Sequence, residues 1–139
     1  MRVYYIFLIK KEVYNITNDN PESLFKLLES IYLLDKKDLS LAFKMFDKLC
    51  RKIPKKNLNK LIKDMSTDNL SYTCYFDNHI INDFLNNETT KLTVYNSHIK
   101  VKSNSTIPTF FKCLNNIPYL FVVDFTNVDY FYLKNIYSR

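Results

Sequence analysis

The chain contains no glycine and no tryptophan, and Ala42 is its only alanine. Without glycine it can build no phosphate-cradling P-loop, dinucleotide-binding fingerprint or nucleophile elbow, since each needs glycine's backbone freedom at a fixed spacing. Arginine is scarce as well. Arg2, Arg51 and Arg139 are the whole set, so the bidentate phosphate contacts that arginine favours have little to draw on. Cys50, Cys74 and Cys113 are odd in number, far apart and in no CxxC spacing. They predict reduced, mostly buried thiols and neither a disulfide framework nor a zinc site. Long hydrophobic runs are missing too: Val3–Ile9 is too short to span a bilayer. Lys10, Lys11 and Glu12 follow it with no small-residue cleavage site, so it reads as a strand and not a signal peptide. A cytoplasmic protein is the expectation.

What the chain does hold is enough for a core. Its 139 residues, 47% hydrophobic and 24% charged, fit one folded domain spanning 1–139. The net charge of +6 invites a nucleic-acid reading, but it comes with an excess of Lys, Asn, Ile, Tyr and Phe. Those residues have A/T-rich codons, and a mutational bias of that kind raises lysine without selection for phosphate binding.

The stretch that organises the chain is Tyr119-Leu120-Phe121-Val122-Val123-Asp124-Phe125. An unbroken aromatic and β-branched run after Pro118 predicts a strand buried on both faces. Only Val3–Ile9 matches it, and we expect the two side by side. Asn20-Pro21-Glu22-Ser23 is a helix start, followed by Leu24, Leu27, Leu28 and Ile31 on one face. Asp35–Asp38 breaks the pattern. A second helix over about 39–51 turns Ala42, Met45, Phe46 and Leu49 inward, and a third after Pro54 buries Leu58, Leu61 and Ile62. Ser71–Phe76 alternates like a strand, while His79–Leu85 could as well be a helical turn. Leu92–Val101 is a hairpin: if Asn96-Ser97 is its turn, Val94 faces Ile99 and Leu92 faces Val101. Asn is also the residue here that best tolerates positive φ. Ser105-Thr106 caps a predicted helix over Ile107, Phe110, Phe111, Leu114 and Ile117. Together these predict an α/β domain with a small sheet: central strands 3–10 and 118–125, a 91–102 hairpin, and helices packed on it.

Candidate chemistry is thin. His98 sits opposite Tyr95 on the polar side of the hairpin, where a solvated cross-strand pair is the simplest reading. His79, beside Asp77 and Asn78, reads as a loop residue. Asp124 ends a buried strand, where α/β sites often lie, but a turn before Thr126-Asn127 explains it as well. No catalytic or metal-binding set emerges, and no cofactor is expected. Lys44, Lys48, Arg51, Lys52, Lys55, Lys56, Lys60 and Lys63 could form a phosphate-contacting stripe. A solvated helix face explains the same run, and no aromatic interleaves it for base stacking.

Val13, Tyr14 and Ile16 stand in the otherwise polar segment after strand one. Such a cluster either marks an interface or caps the core beneath a loop. At Tyr4-Tyr5-Ile6-Phe7-Leu8-Ile9-Lys10-Lys11-Glu12 the chain resembles the opening of the SirA family, sporulation inhibitors of replication in endospore-forming bacteria and their relatives. Phe110-Phe111, Leu114, Pro118, Asp124-Phe125, Tyr130 and Leu133 are similar to that family's closing segment, and the hairpin falls where it has two short strands. The resemblance implies a non-enzymatic inhibitor that binds domain I of the replication initiator DnaA. It also implies a partner surface at Glu12, Val13, Tyr14 and Thr17, with support from the helix around Leu39–Lys52. The family carries aromatics where this chain has Val13 and Thr17. Val13 stays apolar, with Tyr14 adjacent; Thr17 departs from the pattern.

Overall fold

The structure is a computed structural model and describes residues 1–34 and 37–137. The predicted break at Asp35–Asp38 thus lies partly outside the described residues. In chain order the elements are β1 (Arg2–Ile9), α1 (Lys11–Thr17), α2 (Pro21–Leu34), α3 (Leu39–Leu49), β2 (Cys50–Arg51) and α4 (Lys55–Ser66). Then follow β3 (Tyr72–Tyr75), β4 (Asn78–Asp83), β5 (Glu88–Val94), β6 (Ile99–Ser103), α5 (Phe110–Leu114), β7 (Leu120–Asp124), β8 (Asp129–Tyr132) and α6 (Leu133–Tyr137).

The two apolar strands are neighbours. β1 pairs antiparallel with β7, Ile6 opposite Val122 and Leu8 opposite Leu120. The sheet grows well beyond the expected four strands, to eight in the order β3-β4-β5-β6-β1-β7-β8, with β2 paired to the far end of β1. Every pairing in it is antiparallel. All five residues of β7 are buried, because helices cover both of its faces. Val122 joins Tyr4, Ile6, Leu92 and Val101 under α4, α5 and α6. Phe121 and Val123 join Phe7 and Ile9 under α2 and α3. The period-two alternation of β1 divides its side chains between these two cores.

The hairpin register is the predicted one: Val94 opposite Ile99 and Leu92 opposite Val101, all four buried. Asn96, however, does not take positive φ. Its carbonyl instead accepts from the Ile53 backbone N–H at 2.7 Å. In a chain without glycine the left-handed positions fall on Phe76, Asn87, Tyr119 and Val128, and for bulky or β-branched side chains that conformation is strained.

Other expectations need correction. His79–Leu85 is neither helical nor a loop at its start; Asn78–Asp83 is strand β4. The helix expected from Ile107 to Ile117 shrinks to Phe110–Leu114. Pro108 is the reason, since a residue before proline is pushed out of the α region, and Ile107 is left exposed. Leu27 is also outward; the buried face of α2 is Leu24, Phe25 and Leu28. The third helix buries Leu58 and Ile62 as expected. Cys50 and Cys113 are buried free thiols, Cys74 an exposed one, and burial pushes the Cys50 thiol up to about 12.

Asp124 is a fastener. One carboxylate oxygen accepts from the backbone N–H groups of Thr126 and Asn127, each at 3.1 Å. The other accepts from Asn127 Nδ2 at 2.7 Å and Arg2 Nε at 3.1 Å. Arg2 also reaches Asp129 at 3.3 Å, so the β7–β8 turn is tied to the start of β1. Burial opposes the charge, but the hydrogen bonds from Asn127 and Arg2 outweigh it and hold the carboxyl below its ordinary range. A depressed carboxyl stabilises the fold above the unfolded value of about 3.9, and that contribution is lost as pH falls through the lower folded value. Denaturant midpoints at pH 6 and pH 3 should therefore fall further for wild type than for Asp124→Asn, which lacks the titrating group.

Candidate protein-binding site

The segment predicted to be a polar connector is a short helix, α1, that springs from the end of central strand β1. Lys10 precedes it in an extended conformation, φ −63° and ψ 142°, and Glu12 sits in the first turn. There a negative charge suits the helix dipole. The Lys10 N–H donates to the carbonyl of Leu49 at 3.0 Å, which sets the last turn of α3 beside the start of α1. α1 closes with the Thr17 hydroxyl donating to the Val13 carbonyl at 2.7 Å and the Asn18 N–H donating to Tyr14 at 2.9 Å.

The four residues expected to meet a partner therefore divide. Glu12 is exposed. Val13 and Tyr14 are half-buried against the core beneath α2 and α3. The Tyr14 ring lies 5.0 Å from Tyr119 and 5.0 Å, edge-on, from Tyr132. Thr17 is buried, its hydroxyl committed to the helix backbone. Ile16, in contrast, is 76% exposed. The core-cap reading holds for Val13 and Tyr14, which fasten α1, while Glu12 and Ile16 look outward on the other face of the helix. Ile16 was legible as part of the apolar cluster; what sequence could not supply was the helical phase that turns it away from Tyr14.

A second apolar feature lies between α2, α3 and the sheet. It is a groove of about 280 Å³ walled by Tyr5, Phe7, Tyr32, Phe43, Phe46 and His98. Phe43 is more than half exposed at its lip. His98 does stack on Tyr95, at 4.9 Å between ring centroids. Yet it also packs against Tyr5 and Phe7 at 5.5 and 5.8 Å, so it is half-buried rather than a solvated pair.

His79 is the other histidine, and it is 1% exposed. Nε2 lies 2.8 Å from Asn59 Oδ1 and Nδ1 lies 2.7 Å from the Tyr72 hydroxyl. Asn59 Oδ1 can only accept, so the proton belongs on Nε2 and Nδ1 accepts from Tyr72. Asn59 Nδ2 in turn donates to Asp77, which also pairs with Lys55 at 2.9 Å. Burial lowers the His79 pKa, with Asp77 only partly offsetting it. A lowered histidine pKa means the unfolded chain binds the proton first. Stability from this network is full above about 6.5 and declines as pH falls from there toward the lower folded value. Unfolding free energy should drop between pH 7.5 and pH 5.5 in wild type, and by less in His79→Gln.

The basic run does not form one surface. Lys44 and Lys48 ride on α3, on one side of the sheet, and Lys56, Lys60 and Lys63 on α4, on the other. Lys55 is engaged by Asp77. Among the described residues, no cluster of three or more His, Cys, Asp or Glu side chains could hold a metal, and no helix is long and apolar enough to cross a membrane.

Comparison with known proteins adds one match. A family model described as "Sporulation inhibitor of replication protein SirA" covers residues 2–137. No curated protein matches the chain.

Proposed function

The chain belongs to the family of the sporulation inhibitor of replication protein SirA, and we propose that it restrains replication initiation by binding DnaA through that initiator's N-terminal domain I. The observation that carries this reading is the family match across nearly the whole chain. The partner surface we propose is the outward face of α1, Glu12 and Ile16, continued by the last turn of α3 with Asp47 and Lys48. Half-buried Val13 and Tyr14 hold that face in place, and Thr17 sits beneath it. An interface of ordinary size would bury ~800 Å² on each partner and rest on a few anchors. Ile16 is the apolar side chain on α1 free to serve as one.

Such a protein acts by occupying a surface, without transforming a substrate, and it works in the cytoplasm where the initiator is. The direct test is capture of the host's DnaA domain I by the immobilised wild-type chain at micromolar concentrations. Retention of domain I, and none of a DnaA lacking it, is expected. Failure to retain it removes the initiator as partner, whatever the fold.

A further inference from the structure

Half of the sheet is covered on one side only. In β4, β5 and β6 the residues Ile81, Leu92, Val94, Ile99 and Val101 are buried in the core shared with α4 and α5. Their neighbours in sequence face the other way. The helices on that other side, α1, α2 and α3, gather over β1, β7 and β8, and the end of α2 comes to the border of β6, where Tyr32 and Leu33 line a recess with Lys100 and Lys102. Among the described residues, the outer face of β3 to β6 beyond that border is therefore bare.

What stands on it is polar and basic apart from half-buried Ile80. Tyr75, Asn78, Thr93 and Lys100 are consecutive partners across the strands, and so are Thr73, Ile80, Lys91 and Lys102. Lys91 and Lys102 are exposed and directly opposite each other, a like-charge pairing that costs stability in a sheet. Lys100 is diagonal to Lys91, its ammonium 5.7 Å from the Tyr5 ring. Neither row contains an acid; Glu29 of α2 stands only at the border, lining a recess with Lys100 and Lys102. Tyr75 is half exposed at the rim.

We propose that this bare face of β3–β6 binds single-stranded DNA. Lysines at a repeating position neutralise phosphates, an exposed ring offers a stacking surface, and the Thr73 hydroxyl can meet base edges, while Thr93 and Asn78 bond to each other between the strands. That combination on an open antiparallel sheet is how single strands are held without sequence preference. Duplex DNA keeps its bases stacked and would leave Tyr75 unused. DNA is the strand available to a protein whose family inhibits replication. The face is separate from α1, and from the Lys44–Lys63 run that the fold divides. It stands whether or not domain I is the protein partner.

The test is fluorescence anisotropy with a labelled dT15 oligonucleotide. Wild type should bind at 50 mM salt with a dissociation constant below ~100 µM, and log affinity should fall with log salt at a slope of about −2 for three lysine contacts. Lys91→Glu should weaken binding at least fivefold while melting no lower than wild type, since it turns a Lys–Lys pair into a Glu–Lys pair. Tyr75→Ala should also weaken it at least fivefold, the loss of one stacked base. The proposal is overturned by absence of binding at 50 mM salt. It is equally overturned if Lys91→Glu and Tyr75→Ala bind normally, if rU15 is preferred to dT15, or if polyglutamate competes as well as DNA, which would mark an acidic protein partner.

Discussion

Val122→Asp will not yield a cooperatively folding protein. Val122 is fully buried between Ile6 on β1 and Phe131 on β8, at the middle of the strand with cores on both faces. It belongs with Tyr4, Ile6, Leu92, Val101 and Leu133 to one apolar cluster, whose members offer no counter-charge. A carboxyl there must be buried charged without a partner or buried protonated, and either costs several kcal/mol. Domains of this kind have only about 5–15 kcal/mol to lose. Circular dichroism should show no sigmoidal thermal transition, against a single one in wild type. A soluble variant with a wild-type melting curve would mean that β7 is not the centre of the sheet.

Ile16→Lys and Tyr14→Ala should separate binding from folding on one short helix. Ile16 is 76% exposed, and a cation in the last turn of α1 agrees with the helix dipole. Its melting temperature should stay within about 2 °C of wild type, as for most surface substitutions. Affinity for DnaA domain I should fall at least tenfold, because a lysine would have to be desolvated in the middle of an apolar contact. Tyr14→Ala behaves differently. The ring spans Tyr119 and Tyr132, and removing it costs about 2–3 kcal/mol of packing and aromatic contact, or roughly 5–10 °C in melting temperature. Its loss of binding is then secondary to a loosened α1. Equal effects of the two substitutions on stability would contradict this division of the helix.

The sequence displayed the strands of the sheet's middle clearly, because burial on both faces leaves an unbroken apolar run, as in Phe121–Val123. The hairpin was legible down to its register, since Leu92, Val94, Ile99 and Val101 cannot change partners without turning outward. β4 was less clear because the burial of His79 rests on a hydrogen bond from Tyr72 and one donated to Asn59, and a polar buried residue breaks the apolar alternation. The overlong helix at Ile107 came from counting apolar spacing across Pro108, whose steric effect on its predecessor outweighs periodicity. For the proposed site, residue types singled out the apolar cluster Val13, Tyr14 and Ile16. They could not show that α1 is helical, which alone decides that Ile16 looks out while Tyr14 and Thr17 look in. The bare face of β3–β6 was hidden for a related reason: the sequence shows which residues alternate, but not that helices cover only one side of that half.

The most direct measurement is an amide-shift titration of the isotope-labelled chain with unlabelled DnaA domain I. The account predicts saturable shifts concentrated in Lys11–Thr17 and the last turn of α3, with β3–β6 unmoved. Absence of shifts at an excess of domain I, or shifts centred away from α1, would contradict it.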